Sequence, residues 1–249
     1  MSKPSNAIPI YLETGSKRVF AGVLEWPGWC RSGRDEQAAI RALVEYGTRY
    51  ARAIRSADPD FQPPADESSL RVVERLKGDA TTDFGAPGQA PAADSRPMSK
   101  PEITRFTAIL ESCWRTLDRA VKAAGGGELR KGPRGGGRSL EEIVRHLLEA
   151  DAAYLGKIGW PFRPDSKTDP AAEPRRTRAA ILAALAAAAE GRLTAKGPRV
   201  GPHWTARYFV RRAAWHTLDH AWEIEDRIPQ PPGSIIPENR AHRRRGVIE

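Results

Sequence analysis

The feature that most constrains this chain is a single helical segment, Trp215-His216-Thr217-Leu218-Asp219-His220-Ala221-Trp222-Glu223-Ile224-Glu225. Its apolar residues recur at helical spacing, and its two histidines stand four residues apart. Positions i and i+4 leave an α-helix from the same face. Two imidazoles placed there can share one metal ion. The chain has only five histidines. A third, His146, lies in His146-Leu147-Leu148-Glu149-Ala150-Asp151, which also reads as helix. Three imidazoles from two packed helices would hold a divalent metal and leave positions open for water or substrate. A chain built this way must bring residue 146 beside residues 216 and 220.

The helices that could do this are marked by their ends. Ser99 is followed by Glu102 and Ser139 by Glu142, the reciprocal capping pattern of a helix start. The spacing predicts four helices over about residues 98–230. The first runs from Ser99 to about Ala124, where Gly125-Gly126-Gly127 stops it, and the second from Ser139 to near Gly159. The third runs from about Pro174 to Glu190 with Gly191 beyond it, and the fourth from about His203 to Arg227. Ile109, Trp114, Leu117, Ile143, Leu147, Ile181, Leu185, Phe209 and Ala213 are the expected core. Gly125–Gly137 and Pro161–Glu173 read as flexible connections.

Residues 8–92 follow a different period. Ile8–Glu13, Val19–Glu25 and Leu70–Leu76 read as strands, and Asp35–Ala57 as one helix. Pro27-Gly28 breaks the second strand. Ala86–Pro97, rich in Ala, Pro and Gly, reads as a linker. The expected architecture is therefore an α+β N-terminal unit, an all-α up-and-down four-helix bundle, and a basic tail over 231–249.

Charge divides along the same line. Residues 1–95 hold 12 Lys and Arg against 13 Asp and Glu, whereas residues 96–249 hold 28 against 18. A basic helical part favours anionic ligands, but no zinc finger, RNA-recognition core or phosphate-binding glycine loop accompanies it. Nucleic acid is therefore the least favoured partner. No apolar run is long enough to span a bilayer, and the first residues lack a signal peptide's apolar stretch. The expectation is a cytoplasmic protein without a membrane partner. Cys30 and Cys113 are far apart and suit buried, reduced thiols better than a disulfide or a zinc site.

The segment from Arg211 to Ile224 resembles the last helix of the DinB-like family, whose signature is this His-xxx-His pair. Arg145–Asp151 is similar to that family's second helix, which supplies the first histidine ligand. Thr217 replaces the glutamate that a His-Glu-x-x-His protease would need. The resemblance covers about residues 98–230. It implies a metal site of His146, His216 and His220 holding Zn²⁺ or Ni²⁺. It also implies thiol-dependent transferase or isomerase chemistry on a small-molecule substrate, with a low-molecular-weight thiol as co-substrate. Hydrolysis is a further outcome of the same metal chemistry. Arg212, one turn before His216, is the candidate for binding an anionic substrate. Glu149 and Glu223 are candidates to orient an imidazole, and Asp219 falls about 60° off the histidine face. His203 should point away from the site, and His242 belongs to the tail.

Val23–Gly33 followed by a helix near Asp35 is similar to HicB-like domains, although Trp29 separates Gly28 from Cys30. That resemblance implies a protein partner for the N-terminal unit. The competing functional reading is a non-catalytic metal- or ligand-binding module with an N-terminal protein-interaction domain. A homodimer is compatible with either.

Overall fold

The computed structural model describes residues 7–131, 137–164, 172–193 and 203–229. The basic tail expected over 231–249, with Arg240 and His242, lies outside the described residues.

The N-terminal part is a four-stranded sheet with short helices. Strands β1 (Ile8–Thr14), β2 (Val19–Val23), β3 (Cys30–Gly33) and β4 (Leu70–Lys77) form it in the order β3-β2-β1-β4. β1 pairs antiparallel with β2 and parallel with β4. β3, Cys-Arg-Ser-Gly, carries almost no strand propensity of its own and exists because β2 offers it a free edge. The single helix expected over 35–57 is two, α1 (Glu36–Glu45) and α2 (Gly47–Ile54). Backbone bonds from Tyr46 to Ala42 and from Tyr50 to Tyr46 still run through the break. At the break, Gly47 lies against Pro63, where a Cβ would come within 2.9 Å. A short helix, α3 (Ala80–Phe84), capped reciprocally by Asp79 and Thr82, was not legible in the sequence.

Four longer helices follow: α4 (Lys100–Ala124), α5 (Leu140–Lys157), α6 (Glu173–Ala189) and α7 (Ala206–Arg227). Both expected capping boxes form, at Ser99 with Glu102 and at Ser139 with Glu142. α7 packs on α4 and α5, and α6 packs on α4 and α5. All nine residues expected in the core are buried. No described helix is long and apolar enough to cross a membrane.

α7 is the axis of the molecule. Seventeen of its 22 residues are buried, which is the mark of a helix covered on every side. α4 and α5 cover part of it. The sheet unit covers another part: Phe20 meets Trp215 edge-on, Tyr46 meets Trp222, and Gly28 lies against Ala214 and Leu218. Gly28 has φ of 91°, which only glycine adopts without strain, and a Cβ there would press on α7. Arg31 binds Asp219 and Arg49 binds Glu225 along the same side.

One hydrophobic cluster consequently runs from Ile10, Leu12 and Leu43 through Ile109 and Cys113 to Phe209 and Leu218. Trp29 is fully buried in it, stacked on Tyr50 and bonded through its indole N–H to the Leu43 carbonyl. The stretch read as a linker packs as a strap against the rest of the chain. The Glu13 carboxylate accepts from the backbone of Gly88 and Gln89, and Glu74 accepts from Ala92. Asp94, fully buried, binds Arg211. Two distant carboxylates thus bind this segment's backbone, and Arg211 binds its one buried acid. Both cysteines are buried and unpaired, as expected.

Candidate metal centre

His146 stands on α5, and His216 and His220 one turn apart on α7. The Nε2 atom of His216 lies 3.2 Å from Nε2 of His146 and 3.2 Å from Nε2 of His220. One ring nitrogen from each residue falls within 4.8 Å of the other two. Ligands at about 2.0–2.1 Å in a tetrahedron stand roughly 3.4 Å apart. The spacing therefore fits one small divalent ion. No other such grouping of histidine, cysteine or acidic side chains occurs among the described residues.

The protonation chemistry suits the same ion. The Glu223 carboxylate lies 2.8 Å from Nδ1 of His220 and is itself bound by Arg227 at 2.6 Å. A carboxylate there accepts a hydrogen bond from Nδ1–H, which keeps the proton on Nδ1 and leaves the Nε2 lone pair free toward the other imidazoles. Burial, opposed and outweighed by the bonds from His220 and Arg227, leaves Glu223 below the ordinary carboxylate range. Burial also pushes the imidazole of His216 well down, and the charges of His220 and Arg212 push the same way. His146 is lowered by burial, then by Arg138 and His220. Both rings are thus held neutral, the form that binds metal. Nδ1 of His216 is buried without a hydrogen-bond partner.

Glu149 is exposed and makes no hydrogen bond to His146, so of the two glutamates only Glu223 orients an imidazole. Asp219 turns to Arg31 instead. His203 is exposed, precedes α7 and is not part of the histidine cluster.

Arg212 sits one turn before His216, 6% exposed. Its Nη2 donates to the Tyr154 hydroxyl at 3.1 Å, while Nε and Nη1 are buried with no partner. Its guanidinium lies over the Trp215 ring and beside that of Tyr154. The Tyr154 ring approaches His216 to 5.9 Å between centroids. Burial raises the Tyr154 phenol, which the charge of Arg212 only partly offsets, so it keeps its proton at neutral pH. Tyr208, stacked edge-on against Trp204, has a buried hydroxyl without a partner. Sequence reasoning missed Tyr154. The available signal was its place two turns along α5 from His146.

Residues 109–224, within this helical part, match the family model of the DinB superfamily. The matched segment contains all three histidines and Arg212. No curated protein matches the chain, and no solved structure does.

Proposed function

We propose that α4–α7 form the up-and-down four-helix bundle of this family and hold one divalent metal, Zn²⁺ or Ni²⁺, through Nε2 of His146, His216 and His220. The convergence of those three atoms, with Glu223 fixing the tautomer of His220, carries the reading. An ion held by these three imidazoles would lower the pKa of a coordinated water or thiol, whose proton would leave to solvent.

The remaining parts belong to the protein. Arg212 offers two unpartnered N–H groups on the His216 side, suited to the carboxylate of an anionic thiol or substrate. The phenol of Tyr154, already accepting from Arg212, keeps its own proton to donate to a substrate oxygen. Arg138 and Arg212 add positive charge around the histidines. The activity that fits is a metal-dependent transfer or isomerisation that uses an anionic low-molecular-weight thiol. A non-catalytic metal- or ligand-binding module uses the same geometry without turnover.

The test is metal content of untagged protein, followed by calorimetric titration of Zn²⁺ and Ni²⁺. One site per chain is expected. His216→Ala and His220→Ala should each lower affinity by at least about 100-fold, and Glu223→Gln by about 10–100-fold. His203→Ala should leave it unchanged. Equal affinity in the wild type and His216→Ala would sink the assignment. Metal binding without any thiol turnover would select the non-catalytic module.

A further inference from the structure

A cavity of about 110 Å³ lies between α4, α5 and α6. Trp114, Val144 and Leu147 supply much of its apolar wall, and Asp151, Thr177 and Arg178 its polar groups. It is not the histidine site. Asp151 is five residues beyond His146, about 140° around α5 at 100° per residue. Thr217, the only α7 residue in its wall, turns away from the face of His216 and His220.

Two polar groups in this wall have nothing to bind. Asp151 is 7% exposed and Thr177 fully buried. Oδ1 of Asp151 and the Thr177 hydroxyl have no hydrogen-bond partner among the described residues. Buried polar atoms are satisfied nine times in ten or more, so an orphaned carboxyl and an orphaned hydroxyl in one cavity wall call for a ligand. Burial pushes the Asp151 carboxyl up to about 7, with Arg178 only partly opposing it. The acid is thus poised between its two forms at neutral pH.

The sign of the ligand follows from the neighbours. Arg178 is engaged by both oxygens of Asp118, at 2.8 and 2.6 Å, and leaves no free cation for an anionic ligand. Asp151 is opposed only in part by Arg178, whose guanidinium lies 5.5 Å over the Trp114 ring and is held by Asp118, so the unmatched group in the wall is the acid. The half-buried Val121, Leu148 and Pro174 in the wall suit an apolar tail. We propose that this cavity is a second ligand site, which takes a small primary amine with its ammonium on Asp151 and Thr177 and a short aliphatic tail along the apolar wall.

The experiment uses the full chain in chelator, so that no metal-bound amine contributes. n-Butylamine, n-butanol and butyrate are titrated at pH 7.5 while the Trp114 indole and the Leu147 and Leu148 methyls are followed by NMR. Butylamine should shift these signals saturably, with a dissociation constant in roughly the millimolar range for so small a ligand. It should bind about tenfold or more tightly than butanol, and butyrate should not bind. Asp151→Asn should remove that preference, since the charge-assisted bond accounts for it. Val144→Phe, which fills the cavity, should abolish both responses. Three results would overturn the site: no saturable shift at Trp114, undiminished amine binding in Asp151→Asn, or butyrate matching butylamine. The first would leave the cavity as a hydrated void.

Discussion

Arg211 and Arg212 are neighbours on α7, carry the same charge, and are buried to 4% and 6% exposure. Their surroundings could hardly differ more. Arg211 gives Nε and Nη2 to the two oxygens of Asp94, at 2.6 and 2.7 Å, and Nη1 and Nη2 to the carbonyls of Val23 and Leu24. Arg212 makes one hydrogen bond, to Tyr154, and leaves two nitrogens unmatched. A step of about 100° around the helix turns one guanidinium to the sheet and strap and the other to the histidines. A guanidinium with every nitrogen matched is a structural fastener. One with donors left over, beside a metal-competent cluster, is equipped to receive a ligand. Burial alone separates nothing here; the inventory of partners does.

The widest gap between the two should appear in stability. Arg211→Met strands the Asp94 carboxylate without a partner at 0% exposure and should cost about 3–5 kcal/mol in urea unfolding. Adding Asp94→Leu should recover most of that loss, because the pair is then replaced by apolar packing. Arg212→Met should change stability by less than about 1 kcal/mol, since the donors it removes were unsatisfied. A loss at Arg212 as large as that at Arg211 would break the comparison.

A ligand should reverse the ranking. The metal-loaded wild type should prefer mercaptoacetate to neutral 2-mercaptoethanol by about tenfold, one charge-assisted hydrogen bond's worth. Arg212→Met should erase that preference. An unchanged preference would remove Arg212 from the substrate site.

The smallest effect is on protonation. His216 titrates below its ordinary 6.5, so on acidification the unfolded chain takes up this proton before the folded one does. The contribution of His216 to stability is thus whole above about pH 6.5 and drains away below it. The charge of Arg212 is among the causes. NMR titration of the metal-free protein should show the His216 midpoint rising by a fraction of a unit in Arg212→Met, about 1.4 kcal/mol per unit. No shift there would mean that burial alone holds the ring neutral. Asp151 works in the opposite sense. Its carboxyl titrates near 7 in the fold, so its burden on stability grows as pH rises from about 4 to 7. Asp151→Asn should accordingly stabilise the chain at pH 8, by on the order of 2 kcal/mol or ~4–8 °C.

The four long helices were legible because their signals are local: Ser99 and Ser139 with a glutamate three residues on, Gly125 and Gly191 past the helix ends. The histidine set was legible through i, i+4 spacing and through the family resemblance of α5 and α7. What escaped was settled by tertiary contact. β3 depends on the edge of β2, and the strap on Glu13, Glu74 and Arg211, which are distant in sequence. Nothing local marks Arg211 as matched and Arg212 as unmatched, because the difference is which distant groups each one meets. Nothing local marks Asp151 either, since only the fold removes its water.

The strap has a mechanical consequence. Its buried anchor, Asp94, ends on Arg211, and Arg211 lies five residues before His216 on the same rigid rod. The sheet therefore has no slack with which to swing. Any load on its outer surface passes through a stiff linkage into the helix that carries two of the three imidazoles, so an object gripping residues 8–77 is also holding the histidine end of the molecule.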